Sequence, residues 1–356
     1  MARVISVCLP MWPIDRLRRA GDTSAGDGGT DGDGPLILAG SMANRRVVTA
    51  ACTRARSLGL RPGMAVSKAQ AMVPDLCVRP ADPQGDLAAL ERLALWLMQR
   101  FAPIVAVDPP DGVVIDATGA AHLHGGEAAM LDAILGRLTL SGITATIAMA
   151  DTWGAAHALA RHAGALTIAP PGTARDALAS LPLAALRLAP ATVAGLGDMG
   201  FRTVGDLMAV PRAPLTRRFG PEVTRRLDQA LGQSGEPIDP LRPADLATSR
   251  RAFAEPIAAA ETIARQIGHL VRDLCRQLES RGMGARRLDL ICWRVDRAAQ
   301  TLRVGLAAPQ RDPARLTRLL TDKIPTIDPG FGIEIMSLTA TLAEPLAPRQ
   351  AAGLLE

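Results

Sequence analysis

A stretch rich in Pro, Gly and Asp at residues 233–248 divides the sequence into two unequal parts. Such a segment has little to bury and is typical of an exposed linker between domains. The part after the linker shows strand and helix patterns in the order strand, helix, strand, strand, helix, strand. Its long helix places five apolar residues on one face: Ile263, Ile267, Leu270, Leu274 and Leu278. We therefore expect a separate β-α-β-β-α-β domain at residues 249–345.

The longer part, before the linker, alternates between strand and helix patterns. A run of β-branched and apolar residues at 4–9 predicts a strand buried on both faces. Further patterns predict helices at 86–100, 130–140 and 152–162, strands at 105–115 around a Pro109-Pro110 turn and at 143–148, and helices throughout 181–232. Residues 21–35 are rich in Gly and Asp and predict a disordered loop. The mixture indicates an α+β fold.

Several classes of protein are disfavoured by the composition. No apolar run approaches the roughly 18 residues of a membrane-spanning helix. Disulfides and zinc sites are disfavoured because the cysteines are scattered and odd in number: Cys8, Cys52, Cys77, Cys275 and Cys292. His122 and His124 alternate as they would on one strand face, but without a third ligand they do not predict a metal site. We expect a protein of the reducing cytoplasm that needs no cofactor.

Arginine is concentrated after the linker. Residues 250–318 contain fourteen Arg, no Lys and seven Asp or Glu, which gives a local net charge of about +7. The planar guanidinium is well shaped to hold a phosphate with two donors at once, so this segment is a candidate surface for a polyanion. The alternative is a genome that uses Arg wherever a solvated charge is needed. Charge alone leaves both interpretations open.

Four sequence blocks, taken in order, resemble Y-family DNA polymerases. They are RVVTAACTRARSLGLRPGM at 46–64, IDATG at 115–119, GFRTVGDL at 200–207 and the arginine-rich segment at 249–343. The resemblance implies the right-hand architecture of that family. Its parts would be a palm from residues 1–15 and 80–165, fingers from 16–79, a helical thumb from 166–232, and a β-α-β-β-α-β little finger from 249–345. In active members two divalent metal ions support nucleotidyl transfer.

Most of the carboxylates that hold these ions in active members are missing here. By the resemblance, a metal-binding Asp of the first strand corresponds to Cys8, and an acidic residue two positions later corresponds to Pro10. The Asp-Glu pair of the second palm motif corresponds to Asp111 and Gly112, so Asp111 alone is retained. A thiol, a proline and a glycine do not replace the hard oxygen ligands that magnesium needs. The sequence therefore predicts a chain without a metal site and without catalysis.

The nucleotide contacts of the family are also reduced. Its triphosphate-binding Tyr and Arg correspond to Thr53 and Arg56, so one of the two is retained. The alternative hypothesis is an active polymerase that uses Asp108 and Asp111 as its carboxylates. Asp108 directly precedes Pro109-Pro110, however, where turns favour Asp for local hydrogen bonding, and we expect it to be a turn residue. A third hypothesis, a small-molecule pocket in the old nucleotide site, has no sequence feature in its support.

The DNA-binding parts of the family are better retained. Gly200 and Thr203 match the second half of a helix-hairpin-helix unit in the thumb, where backbone amides can hold a phosphate. The first half has Arg187-Leu188-Ala189 in place of Gly-x-Gly, where Arg187 would supply charge instead. In the little finger, the residues expected to follow DNA phosphates are Ser249, Arg250, Arg251, Arg286, Arg287, Arg294 and Arg303. Arg287 and Arg294 are seven positions apart, so they face opposite ways unless a bulge intervenes.

The C-terminal tail, residues 346–356, contains Gln350, Leu354 and Leu355. Y-family proteins often carry at this place a short peptide, built from a Gln and a hydrophobic pair, that docks on the β sliding clamp. The same residues also fit a frayed chain end. The resemblance further implies a C-terminal partner-binding region, for which the tail leaves too little room.

The resemblance and the missing carboxylates together predict a non-catalytic adaptor. We expect it to bind primed or damaged DNA without sequence preference, to bind the sliding clamp, and to recruit an error-prone C-family DNA polymerase in SOS-induced translesion synthesis and mutagenesis. A RecA-like accessory protein is the further partner that the resemblance implies. A cytoplasmic, nucleoid-associated location, away from any membrane, follows from this role.

Overall fold

The computed structural model describes residues 2–20, 34–42, 44–241, 246–296 and 298–346. The chain forms two units, one built from Met1–Ala94 with Ala106–Ile238 and the other from Leu95–Val105 with Asp239–Glu356. The change from the first unit to the second after Ile238 falls inside the linker expected at 233–248. In the part of the chain that the structure describes, no helix is long and apolar enough to cross a membrane.

The strands before the linker are β1 (Val4–Cys8), β2 (Leu36–Met42), β3 (Arg45–Ala51), β4 (Cys77–Pro80), β5 (Ile104–Asp108), β6 (Gly112–Asp116), β7 (Thr146–Ala150) and β8 (Leu166–Ile168). The helices are α1 (Trp12–Arg19), α2 (Thr53–Ser57), α3 (Val66–Met72), α4 (Pro83–Arg100), α5 (Glu127–Leu140), α6 (Trp153–His162), α7 (Ala174–Ala179), α8 (Pro190–Asp198), α9 (Val204–Met208), α10 (Arg212–Phe219) and α11 (Pro221–Ala230).

A five-stranded sheet with the order β5-β6-β1-β7-β8 forms the centre of the first unit. The middle strand, β1, is antiparallel to both β6 and β7 and is buried along its whole length. This confirms the strand expected at residues 4–9, because a continuous apolar run suits a strand that is covered on both faces. The strands and helices expected between residues 86 and 162 are also present.

A second sheet, with the order β3-β2-β4, was not anticipated from the sequence. Strand β2 pairs with β3 in an antiparallel hairpin and with the distant β4 in parallel. Small residues weaken the alternating pattern of β3, since Ala50 and Ala51 are both buried at its end. The parallel partner, β4, is only four residues long and carries no strand signal of its own.

Helices α8 to α11 lie within residues 190–230, as expected, and share a hydrophobic core with α6, on which α11 packs directly. The closest approach involves Gly154 on α6, where an added Cβ would lie 2.9 Å from the Cα of Ala230 on α11. Any larger residue would push the two helices apart. Between β6 and α5, a short 3₁₀ helix at Ala121–His124 replaces the strand pattern of the two histidines, so His122 and His124 do not share a strand face.

The second unit has the β-α-β-β-α-β order that the sequence predicts. Its elements are β9 (Thr248–Ile257), α12 (Ala260–Ser280), β10 (Met283–Arg294), β11 (Ala299–Gln310), α13 (Pro313–Thr321) and β12 (Ile333–Pro345). The strands form one sheet with the order β11-β10-β12-β9, and both helices contribute to the core on one side of it. The five apolar residues expected on one face of α12 are all buried, which follows from their helical spacing.

Candidate functional site

The residues expected at the degenerate metal position meet at the centre of the five-stranded sheet. Cys8, the last residue of β1, lies directly opposite Gly112, the first residue of β6, and opposite Thr146 of β7 on its other side. The backbone N–H of Leu9 donates to the carbonyl of Asp111 at 2.7 Å, so Asp111 lies beside the same strand end. The structure thus brings Cys8, Asp111 and Gly112 together, as the resemblance implies.

A cation from helix α6 lies at the same place. The Arg161 guanidinium donates through Nη2 to Asp111 Oδ1 at 2.8 Å, and Nη2 is 3.6 Å from Asp108 Oδ2. His157, one helical turn earlier on the same face of α6, has its Nδ1 2.8 Å from Asp108 Oδ2. Sequence reasoning missed both residues. The sequence signal that could have found them is their spacing: two polar residues four positions apart, on one face of a helix whose neighbouring positions are apolar.

Gly112 leaves the space that Arg161 uses. A Cβ at this position would lie 2.9 Å from Arg161 Nη2, 3.0 Å from the carbonyl oxygen of Asp108 and 3.2 Å from that of Val7. The two backbone neighbours would have to give by only a few tenths of an ångström, whereas Arg161 Nη2 is closer than a real Cβ contact allows. A side chain at residue 112 is therefore incompatible with this position of the guanidinium.

The expectation that Asp108 is a turn residue is wrong. Its carboxylate does not stabilise a local turn but accepts a hydrogen bond from His157, which is distant in the sequence. Burial alone would raise the pKa of Asp108, but the hydrogen bond from His157 and the charges of His157, Arg161 and Arg187 hold the pKa below its usual value. Burial lowers the pKa of His157, and the hydrogen bond to Asp108 opposes this only in part. The imidazole is therefore neutral at pH 7 and donates its Nδ1 proton to the carboxylate.

These residues do not fit the two magnesium ions that the family implies. Burial raises the pKa of the Cys8 thiol, which keeps it protonated, and Gly112 offers no side-chain ligand atom. The carboxylates of Asp108 and Asp111 already face a guanidinium that would repel a dication. Within the described ranges, no group of three or more His, Cys, Asp or Glu side chains is arranged to hold a metal.

Arg56, expected from the resemblance to be a remnant nucleotide contact, lies close to the end of β1. Arg56 of α2 donates through Nη2 to the carbonyl of Pro10 at 3.0 Å, and its Nε is buried without a hydrogen-bond partner. Thr53, at the start of α2, is exposed. Arg56 and Pro10, two of the positions that the resemblance singled out, are thus in direct contact.

In the helical region, the turn before α9 uses most of its own backbone donors. Gly200 has a φ of +90°, and Thr203 caps α9 in a capping box with Asp206. The carboxylate of Asp206 accepts from the backbone N–H groups of Arg202 and Thr203, both at 2.8 Å. Those two amides are therefore satisfied within the turn.

Arg187, which the resemblance places in the first half of a helix-hairpin-helix unit, is not a free charge. Its Nη2 donates to Glu236 Oε2 at 2.6 Å, and its guanidinium lies 4.9 Å from the ring centre of Trp153. Glu236 also accepts from Arg226 at 3.0 Å. The charge that the sequence suggested for this position is compensated inside the fold.

The sheet of the second unit has one apolar face under α12 and α13 and one polar face. Two rows of residues cross the polar face: Thr248, Thr339, Asp289 and Arg303, and beside them Arg250, Ser337, Ile291 and Thr301. Strand alternation separates the three residues expected to act together in β9. Ser249 and Arg251 pair with core positions on the helix side, and Arg251 lies 3.6 Å from Asp273 of α12, whereas Arg250 faces the polar side.

The remaining predicted arginines have protein partners. Arg294 pairs with Asp296 at 2.5 Å and Asp328 at 3.0 Å. Arg286 donates to the carbonyl of Ala307, and Arg287 donates to that of Gln99 in the same unit. Strand alternation alone would make Arg287 and Arg294 face opposite ways unless a bulge intervenes. Bulges are present, because the register of β10 shifts around Arg287 and before Arg294.

Arg250 differs from these arginines. It is exposed and, among the described residues, lacks a carboxylate partner. Of the seven predicted little-finger contacts, it is therefore the one with an exposed charge that the fold does not already use. Gln350, Leu354 and Leu355 lie outside the described residues.

Comparisons with known proteins agree with this fold. The model of the impB/mucB/samB family matches residues 32–161, and that of its C-terminal domain matches residues 248–352. "Protein ImuB" of Caulobacter vibrioides (strain NA1000 / CB15N) is 47% identical over 294 residues, which are 83% of this chain and 64% of that protein. The chain thus spans just under two thirds of the length of this relative. DNA polymerase IV of Caulobacter vibrioides (strain ATCC 19089 / CIP 103742 / CB 15) is 27% identical over 322 residues, covering 87% of this chain and 77% of that protein.

Solved structures match almost the whole chain. The insertion ternary complex of Dbh DNA polymerase gives a TM-score of 0.55 at 15% identity, covering 95% of this chain and 98% of that one. DinB from Sulfolobus solfataricus gives a TM-score of 0.52 at 15% identity, with coverage of 96% and 98%. These matches confirm the right-hand fold expected from the sequence. The chain belongs to the impB/mucB/samB family of Y-family DNA polymerase homologues.

Proposed function

We propose that this chain is a catalytically inactive Y-family homologue that acts as a DNA- and sliding-clamp-binding adaptor in SOS-induced translesion synthesis and mutagenesis. In this role it recruits an error-prone C-family DNA polymerase. The family membership supports the connection to translesion synthesis, and the chemistry at the centre of the first unit supports the loss of catalysis.

One observation carries the loss of catalysis. The guanidinium of Arg161 pairs with Asp111 at 2.8 Å and lies within 2.9 Å of the place where a residue other than glycine at 112 would have its Cβ. Two-metal catalysis requires carboxylates that are free to hold two dications. Here the guanidinium of Arg161 faces both Asp108 and Asp111 and would repel a dication. The alternative, an active polymerase that uses Asp108 and Asp111, is disfavoured because both carboxylates are engaged by Arg161 or His157.

Primer extension tests this proposal. A labelled primer on a longer template is incubated with the full chain, the four deoxynucleotides, and either magnesium or manganese, beside an active DNA polymerase IV. We expect no extension above the control without protein. Extension above that control would contradict the proposal if it disappeared in the Asp111→Ala variant, because contamination by a host polymerase would survive that substitution.

DNA binding is the activity that the second unit supports. Its polar sheet face carries the exposed Arg250, with the exposed Thr248 in the neighbouring row. A guanidinium donates to phosphate oxygens without reading sequence. The thumb residues Gly200 and Thr203 are a weaker part of the proposal, since Asp206 already accepts from two amides of that turn. Binding through phosphates is independent of sequence and depends on salt.

The protein partners belong to the proposal as well. Gln350, Leu354 and Leu355 would dock on the β sliding clamp, with the leucines in an apolar pocket and the glutamine as a polar anchor. The error-prone C-family polymerase and an ImuA-type RecA-like accessory protein are proposed from the resemblance to the Y family. The clamp would hold the complex at a primer end while the recruited polymerase performs the synthesis.

A further inference from the structure

The carboxylates at the centre of the first unit already have a positive partner. Asp108 and Asp111 both lie within 4 Å of the Arg161 guanidinium, at 3.6 Å and 2.8 Å. The side chains of Arg161 and Asp108 are 17% and 13% exposed, so water offers little compensation there. A carboxylate removed from water needs a counter-charge, and Arg161 provides it.

The position of the guanidinium is set by its helix. Helix α6 is buried along Gly154–Ala160 and packs against β1 and β7, so the backbone of Arg161 cannot withdraw from the sheet. His157 occupies the preceding turn and holds Asp108 through a 2.8 Å hydrogen bond. If the guanidinium swung away, Asp111 would lose its ion pair. The helix and both carboxylates therefore keep the cation at the strand end.

The space for a second carboxylate is taken by the same group. A Cβ on Gly112 would meet Arg161 Nη2 at 2.9 Å, so a glutamate at this position requires the guanidinium to shift. Cys8, directly opposite Gly112, is in the register that would place an aspartate beside that glutamate. The backbone frame for a metal site is thus present, while its centre is occupied by a side chain.

We propose that Arg161 is a resident counter-ion that takes the place of the divalent metal and excludes a metal even when the missing carboxylates are restored. This inference rests on the proposed loss of catalysis and deepens it. It names Arg161 as the residue that keeps a metal out even after the carboxylates have been put back. Removing Arg161 is the step that opens the site.

Manganese binding by the full chain tests whether Arg161 excludes a metal. The double variant Cys8→Asp, Gly112→Glu restores carboxylates beside Asp111, and the triple variant adds Arg161→Ala. Binding is measured by calorimetry and by the electron paramagnetic resonance signal of free manganese. We expect the triple variant to bind manganese at least about tenfold more tightly than the double variant. The matched control adds Arg92→Ala, an exposed arginine on α4, to the double variant and is expected to change nothing.

Three outcomes overturn the proposal. Equal manganese affinity in the double and triple variants means that Arg161 does not exclude the metal. A folded triple variant, as judged by circular dichroism, that binds no manganese means the same. If the triple variant does not fold, a second triple variant carries Arg161→Gln in place of Arg161→Ala, which keeps more of the side chain and removes the charge. We expect it to bind manganese at least about tenfold more tightly than the double variant. Equal affinity in this variant and the double variant overturns the proposal.

The readout is metal binding and folding, so it is independent of nucleotide incorporation. The proposed function fails if the wild-type chain extends a primer. The present inference fails if Arg161 makes no difference to manganese, and each result can occur without the other.

Discussion

The carboxylate of Asp289 accepts two hydrogen bonds from the guanidinium of Arg303, each at 2.7 Å, across the strand pair β10–β11. Asp289 is 1% exposed and Arg303 is 15% exposed, so both charges are removed from water. Arg303 also donates to the carbonyl of Met98 in the same unit. The resemblance suggested Arg303 as a contact to DNA phosphate, but its Nε and Nη2 donors are already bonded to the buried carboxylate of Asp289.

Replacing Arg303 alone is therefore expected to lower the unfolding free energy, with a smaller direct effect on DNA binding. Arg303→Leu leaves the Asp289 carboxylate buried without a partner, which costs about 3–5 kcal/mol of unfolding free energy. The pair Arg303→Leu, Asp289→Leu removes both charges and is expected to stay within about 1 kcal/mol of the wild type. Urea unfolding of the three chains measures this, and a double variant at least as unstable as Arg303→Leu would contradict it.

The unfolding free energy should depend on pH through His157. Burial lowers its pKa below the ordinary value of 6.5, so between these two values the unfolded chain carries a proton that the folded chain does not. Stability is therefore full above pH 6.5 and falls as the pH decreases through this window, by up to about 1.4 kcal/mol per pH unit for one proton. The pKa of Asp108 is also depressed, so its contribution is lost only at lower pH, below its ordinary value of 3.8.

The variant His157→Gln retains a donor for Asp108 and does not titrate. We expect its stability to change less than that of the wild type between pH 7 and pH 5.5 in urea unfolding. The pKa of His162 is lowered by burial as well, so some pH dependence remains in this variant. Identical slopes in the two chains would exclude His157 as the source.

DNA affinity should respond to Arg250 and not to its neighbour Arg251. Each phosphate contact contributes about 0.9 to the slope of log affinity against log salt for duplex DNA, so Arg250→Ala is expected to lower the slope by about 1. Arg251 faces α12 and lies 3.6 Å from Asp273, which makes Arg251→Ala a matched control on the same strand. Fluorescence anisotropy at several salt concentrations gives both slopes. An unchanged slope for Arg250→Ala would move the DNA surface elsewhere.

Clamp binding is expected to depend on Leu354 and Leu355. Truncating a well-buried leucine costs on the order of 2 kcal/mol, enough to weaken a micromolar contact more than tenfold. The measurement compares the full chain, a chain that ends at Pro348, and the Leu354→Ala, Leu355→Ala variant, with DNA affinity as the folding control. Equal clamp binding by all three would place the contact in the folded units.

Much of the fold follows from local patterns in the sequence. The five apolar residues on one face of α12 and the continuous apolar run of β1 predicted their elements because periodicity reports which faces are buried. The sheet β3-β2-β4 escaped prediction because β2 pairs in parallel with the distant β4, and Ala50 and Ala51 blur the alternation. Its pairing depends on contacts between segments that are far apart in the chain.

The sequence by itself determined that carboxylates are absent at Cys8 and Gly112, because the chemistry of a residue type does not depend on the fold. Only the tertiary structure decided which side chains lie beside these two positions. Arg161 reaches Asp111 from a position 50 residues away, and His157 reaches Asp108 from 49 residues away. Local patterns show that these side chains share a helix face, but which carboxylates they meet depends on how α6 packs against the sheet. The same holds for Arg303, whose partner is set by the register of β10 with β11.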